Sequence, residues 1–492
     1  MGEKMSEERA AEPEESGSLT GGQYVSRREF LKIAGIAGAA IGVGAGLGGL
    51  VAACGSEETT TTTTTAAPAT TTTTGAESTT TVSAGPEAGR EIKIGDPTAI
   101  TGPLAVFGQA EKWSVDLAAR TLGDGIVLGD GKNHKISIVV QDTQSDSNRT
   151  AQVTGDLILN EKVDMLVSAG TPDTVNPAAD QAEALGCPLV SIYNPWQPYV
   201  FGRNRTLESV DKWAYGFFFG VEQEVVCQSM AFGKVPSNKK MGMLLANDAD
   251  GNAWAQVLVP GMEASGYEVT FPQQYQPLSE DFTAQIAAFK KAGCELLSGT
   301  HLPPDFTNFW KQSLQQGFKP TLAFCGGKAL TNFSYPESLG STSIGLLAGW
   351  GFHRNFPYVD SLTGMTCQEL CDDYEKFTGE QWAQAVGSHA KISWAVDVLQ
   401  RAKNPEDKES IVEAILGTKM DLVIGILDFT QKVDPAGSRI AHNVCKTGWT
   451  CVQVVKGADA KPAPTTREYE VNIVGIEGHK VELFDPAPMQ YA

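Results

Sequence analysis

The sequence predicts an α/β protein: two Rossmann-like lobes with parallel sheets, facing each other across a cleft. Three observations predict it. Short apolar runs alternate with amphipathic segments from residue 92 to 192, the same rhythm restarts at residue 241, and residues 55–90 contain almost nothing that a folded core could use. Strand–helix alternation with short connections builds a parallel sheet covered by helices on both faces. Two such runs give two lobes, and the roughly 400 residues involved are enough for two substantial cores.

The N-terminal region comes first. Residues 26–32 read SRREFLK, a twin-arginine export signal, and residues 33–53 form a small, apolar, glycine-rich segment ending Val51-Ala52-Ala53 before Cys54. That ending resembles the lipobox of bacterial lipoproteins, in which the chain is cut before the cysteine and acyl chains are added to it. Residues 1–53 are therefore expected to be a signal region, Cys54 a lipidation site, and the mature chain a lipid-anchored protein on the outer face of the cell membrane. Residues 54–90 are mostly Thr, Ala, Ser, Gly, Pro and Glu and read as a disordered tether. At 5–6 Å times the square root of its length, such a tether spans about 30–35 Å.

In the folded part, Ile92-Lys93-Ile94 opens a strand, and Trp113, Leu117 and Leu122 mark one face of a helix. Then follow strand Ile136–Val140, helix 149–161, strand Met165–Val167, helix 175–185 and strand Pro188–Ile192. After a looser stretch come strand Met241–Leu245, helix 252–265, strand Glu268–Phe271, helix 281–292, strand Leu296–Ser298, helix 305–317 and strand Thr321–Cys325. Helical segments 366–378, 388–403 and 408–416 precede strand-like pieces 423–429, 441–445 and 449–455. Lobe 1 is placed at 91–206 plus 354–424 and lobe 2 at 207–353 plus 425–492.

The chain carries a net charge of −20, with 38 basic and 58 acidic residues. A surface of that sign repels nucleic acid and anionic lipid headgroups, so neither is an expected partner. Beyond Cys54 there are eight cysteines, and Cys445–Cys451, flanking KTGWT in an expected hairpin, is the pair expected to form a disulfide. No CxxC pair and no histidine cluster has zinc spacing, so neither metal nor cofactor is expected. No G-x-S-x-G elbow and no His/Glu metal motif occurs, which argues against a secreted hydrolase.

Ligands of open α/β sheets bind beyond the carboxyl ends of strands. That rule selects loops 98–108, 168–174, 193–197, 246–253, 299–305 and 326–331. These loops resemble those of type I periplasmic binding proteins, specifically the leucine/isoleucine/valine-binding family of ABC importers. Ile92–Gly95 followed by Ile100-Thr101-Gly102-Pro103-Leu104-Ala105-Val106-Phe107-Gly108 is similar to that family's first strand and LTGPxAxxG loop. Val140–Asp146 is similar to its xDDQSDP strand end, and Val163–Val167 to its next strand.

The resemblance extends over residues 91–455. It implies two lobes joined by three crossovers that close on a small-molecule ligand, a non-enzymatic monomer, and an ABC permease as membrane partner. A sensor subunit that signals without transport would need the same cleft.

The resemblance also nominates ligand contacts. Thr171, Asp173 and Thr174 occupy the hydroxyl loop after the third strand, and Tyr193, Asn194 and Trp196 the next loop. Asp250 falls where the family's DDxYG loop has tyrosine. Lys328 falls where the family has the acid that pairs with an amino group, which points to an organic acid or another compact polar ligand. Thr101, Phe107, Trp254 and His301 complete the candidates in cleft-facing loops.

Overall fold

The computed structural model describes residues 85–491. The export signal, Cys54 and the threonine tract lie outside the described residues. No helix among the described residues is long and apolar enough to cross a membrane.

The first lobe is built on a seven-stranded sheet. From edge to edge its strands are Arg439–Ala441, Val444–Cys445, Ala214–Phe217, Leu189–Ile192, Met165–Ala169, Ile92–Thr98 and Ile136–Asp142. All neighbours are parallel except the first pair. Central strands of such a sheet are covered on both faces, which is why MLVSA and LVSI are buried at every residue. The connecting helices start where the sequence supplies an oxygen to the first turn. The Asp146 side chain accepts from Arg149 N at 2.7 Å at the start of helix Ser147–Leu159, and a Thr366/Glu369 capping box opens helix Cys367–Thr378.

The second lobe has a four-stranded parallel sheet, in the order Leu322–Ala323, Leu296–Thr300, Lys240–Leu245, Glu268–Thr270. Beside it lies an antiparallel sheet of Leu347–Trp350, Trp449–Lys456 and Tyr469–Glu477. A parallel bridge between Phe324 and Leu347 joins the two. Strand Tyr469–Glu477, helix Val221–Lys234 and strand Leu347–Trp350 were not anticipated from the sequence.

The chain passes between lobes three times, at residues 218–220, 351–353 and 446–448. Two boundaries therefore differ from those expected at 206/207 and 424/425. Hydrogen bonding decides the point: Ala214–Phe217 pairs with Leu189–Ile192 and with Val444–Cys445, so all three belong to lobe 1.

The same pairing corrects the expected disulfide. Cys445 ends a lobe 1 strand while Cys451 pairs with Gly349 and Gly475 in lobe 2, so the KTGWT segment is a crossover and not a hairpin. The Cys445 thiol faces Asp428 O at 3.6 Å, and both cysteines are free and buried, as are the other six described. Burial pushes the Cys445 thiol up to about 12. A reductant such as dithiothreitol is thus expected to leave the melting temperature unchanged; a drop would show that a bridge forms.

Candidate functional site

A cavity opens between the lobes where the carboxyl ends of the two parallel sheets meet. Its atom-free space, mouth included, is about 420 Å³. Lobe 1 contributes Phe107, Thr171, Pro172, Tyr193 and Pro195, and lobe 2 contributes Asp250, Trp254, Thr300, Gly327 and Lys328. Crossover residues Phe218, Phe219 and Trp449 form its floor together with Glu224 and Gln384. The lips of the cleft meet: Phe107 packs with Leu302 of the opposite lobe, and Asn332 Nδ2 donates to Gln109 Oε1 at 2.8 Å.

The floor follows from close packing at the crossovers. The Trp449 ring stacks on Phe219 with centroids 3.5 Å apart and planes 7° from parallel, while Phe218 meets it edge-on at 5.5 Å. A glycine is required beneath it, because a Cβ on Gly349 would lie 2.5 Å from the indole. Trp449, the first residue beyond the third crossover, also lies against the second, where a Cβ on Gly351 would come within 3.1 Å of the indole. Tyr193 closes one side. Its backbone is held at φ 67°, an uncommon conformation for a tyrosine. Its hydroxyl donates to Gln384 O at 2.8 Å, and its ring meets Phe218 edge-on at 5.0 Å.

The charged part of the site sits on the second lobe. Asp248 caps helix Ala249–Ala264, accepting from Gly251 N at 2.7 Å, and Asp250 and Trp254 share the next face at i, i+4 spacing. Lys328, on the short turn Gly326–Ala329, places its ammonium 3.0 Å from Asp248 and 2.9 Å from Asp250. Burial opposes the lysine's charge, but Asp248, Asp250 and Asp173 together raise its pKa above the ordinary value. Burial also pushes the Asp250 carboxyl up to about 6, against the pull of Lys328. The Lys328 side chain thus lines the cavity while already paired with two carboxylates of its own lobe.

Glu224, on helix Val221–Lys234, is a floor residue that the sequence reading missed. It is buried beside Trp254 and accepts from Gln228 Nε2 at 3.1 Å. Burial pushes its carboxyl up to about 8, so it is largely neutral at pH 7. A carboxyl with a raised folded pKa contributes stability that is full below its unfolded value, about 4.3, and is lost as pH rises towards 8. Glu224→Gln is therefore expected to gain on the wild type steadily between pH 5 and pH 8, read as melting temperature against pH. A constant difference between the two proteins would refute that assignment.

Of the sequence candidates, Phe107, Thr171, Tyr193, Asp250, Trp254 and Lys328 line the cavity; the others do not. Thr101 donates to Asp142 at 2.7 Å and pins the loop that carries Phe107. Thr174 is buried and donates to Thr171 O at 3.3 Å inside the first helical turn. Asp173 lies off the cavity wall, receives the Thr171 hydroxyl at 3.4 Å, and is within electrostatic reach of Lys328. Asn194 donates to Asn176 Oδ1 at 2.7 Å.

Trp196 is a hinge fastener and not a cleft wall. Its Nε1 donates to Glu222 at 3.1 Å, and Glu222 also receives Gln197 at 2.5 Å and pairs with Lys446 at 3.2 Å. One carboxylate so ties lobe 1 to the first and third crossovers. His301 is fully buried behind the wall, stacked on Phe306, and burial drives its pKa down to about 3.

This arrangement has parallels among known proteins. Solved structures superpose with TM-scores near 0.6 at low identity. They include a leucine-binding protein from Thermotoga maritima (TM-score 0.62, 18% identity, covering 78% of this chain and 98% of that one). A second is a branched-chain amino acid transporter substrate-binding protein from Streptococcus pneumoniae in complex with isoleucine (0.59, 18%, 78% and 99%). A third is a solute-binding protein of an ABC transporter from Rhodopseudomonas palustris in complex with 3,4-dihydroxybenzoic acid (0.61, 18%, 80% and 98%). The sequence model described as "periplasmic binding protein" matches residues 91–455, about three quarters of the chain, and the chain belongs to that family.

Proposed function

We propose that this protein captures a small solute between its lobes and delivers it to an ABC-type permease, tethered to the outer face of the membrane through Cys54 after twin-arginine export. The observation that carries the reading is the composite cavity, whose walls come from both lobes and whose floor comes from the crossovers. A site assembled this way exists in full only when the lobes are closed, so ligand binding and closure are one equilibrium. The permease then recognises the joint surface that closure creates. His301, behind the cavity wall, is buried and held neutral.

Native mass spectrometry of protein purified from its own cells tests the reading. The expected result is a small-molecule adduct that denaturation releases, with a scattering profile that expands when the adduct is removed. Protein that carries no adduct, and whose profile is indifferent to small-molecule extracts of those cells, would overturn it.

A further inference from the structure

We propose that the ligand is a compact organic cation, an amine or quaternary ammonium carried on an aromatic or bulky apolar body. The inference rests on the capture reading above and deepens it.

The charge inventory of the cleft is unbalanced. Three carboxyl groups, Asp248, Asp250 and Asp173, act on the single ammonium of Lys328. Asp250 is only 3% exposed and lines the cavity, and its Oδ1 has no hydrogen-bond partner among the described residues. A buried carboxylate oxygen without a donor is costly. A ligand N–H or a quaternary methyl face set against it supplies the missing positive charge. An anionic ligand would add negative charge to the same cluster, and the one basic side chain lining the cavity is already bonded twice.

The walls point the same way. Phe107, Tyr193, Phe218, Phe219, Trp254 and Trp449 surround the space with aromatic rings, whose faces attract cations and whose area suits an apolar body. Trp449 Nε1 has no partner among the described residues, so a hydroxyl or carbonyl oxygen at the far end of the ligand would be received there.

Calorimetric titration of the adduct-free protein with tyramine, benzyltrimethylammonium, 4-hydroxybenzoate and leucine tests the proposal, with small-angle scattering reporting closure. Tyramine and benzyltrimethylammonium are expected to bind and close the lobes, and 4-hydroxybenzoate to do neither. Asp250→Asn should weaken tyramine by at least about thirtyfold. Trp254→Leu, which leaves the charge cluster intact, should weaken benzyltrimethylammonium while circular dichroism stays native. Tighter binding of 4-hydroxybenzoate or leucine than of either cation, with closure, would overturn the cation and leave the capture reading standing. Silence of both cations on protein that closes around its native adduct would also overturn the cation alone. Silence of every probe with no native adduct would remove both.

Discussion

Lys391→Ala is expected to destabilise the protein by about 3–5 kcal/mol at pH 8, the cost of leaving buried charge without its partner. Lys391, on helix Ala390–Arg401, is fully buried with its ammonium 2.6 Å from Asp96 and 2.6 Å from Glu111. Burial, and then the charge of Glu111, push Asp96 well above the usual carboxylate range. Burial works against the Glu111 charge as well, but Lys391 outweighs it and holds that carboxyl below its ordinary value. The triad therefore fastens the first strand, Ile92–Thr98, to helices Glu111–Leu122 and Ala390–Arg401 by one shared positive charge. Without the lysine both carboxyls take raised values. Groups with raised folded pKa lend stability below their unfolded values and lose it as pH climbs. The deficit against wild type should accordingly be larger at pH 8 than at pH 5. Denaturant unfolding at the two pH values checks this, and Lys391→Met should give a similar pH dependence with a smaller cavity. A deficit that is the same at both pH values would show that packing and not charge is at stake.

Trp449→Ala is expected to abolish ligand capture and to cost about 3–5 kcal/mol, the range for removing a large buried aromatic. Both effects have one origin, since the indole that floors the cavity is also stacked on Phe219 and packed over Gly349. Trp449→Phe keeps most of the stack, so stability should largely return while the vacant indole N–H does not. Comparing the two variants by unfolding and by retention of the native adduct separates the roles. Wild-type capture in Trp449→Ala would place the ligand elsewhere.

Most of the scaffold was legible because its signals are local. The strands Met165–Ala169 and Lys240–Leu245 and the helix Cys367–Thr378 follow from apolar runs, caps and 3.6-residue spacing, and those segments need no distant partner to be read. What was missed depends on distant partners. Ala214–Phe217 is four residues long and acquires its identity by pairing, on one side with Leu189–Ile192 and on the other with Val444–Cys445 some 230 residues later. The Cys445–Cys451 expectation failed for the same reason, because an odd-length loop looks alike as a hairpin and as a crossover. At the site, loop position picked out Asp250, Trp254 and Phe107, yet it could not show that Trp196 turns back to Glu222. Phe218, Phe219 and Trp449 did carry a signal, a Phe-Phe-Phe-Gly run and a Gly-Trp step, but only the fold shows these as one cluster.

The shared floor has a kinetic consequence. The rings that a ligand rests on are the rings that the crossovers must move past each other when the cleft opens. Ligand residence time and opening rate are then set by the same contacts, and substitutions in the floor cannot retune one alone. Recognition of a new solute is easier to evolve on the outer walls, at Thr171 or Asp250, where a changed fit leaves the stacked rings of the joint alone. On the capture reading, by contrast, the pace of opening is set at Phe219 and Trp449, whatever the cargo.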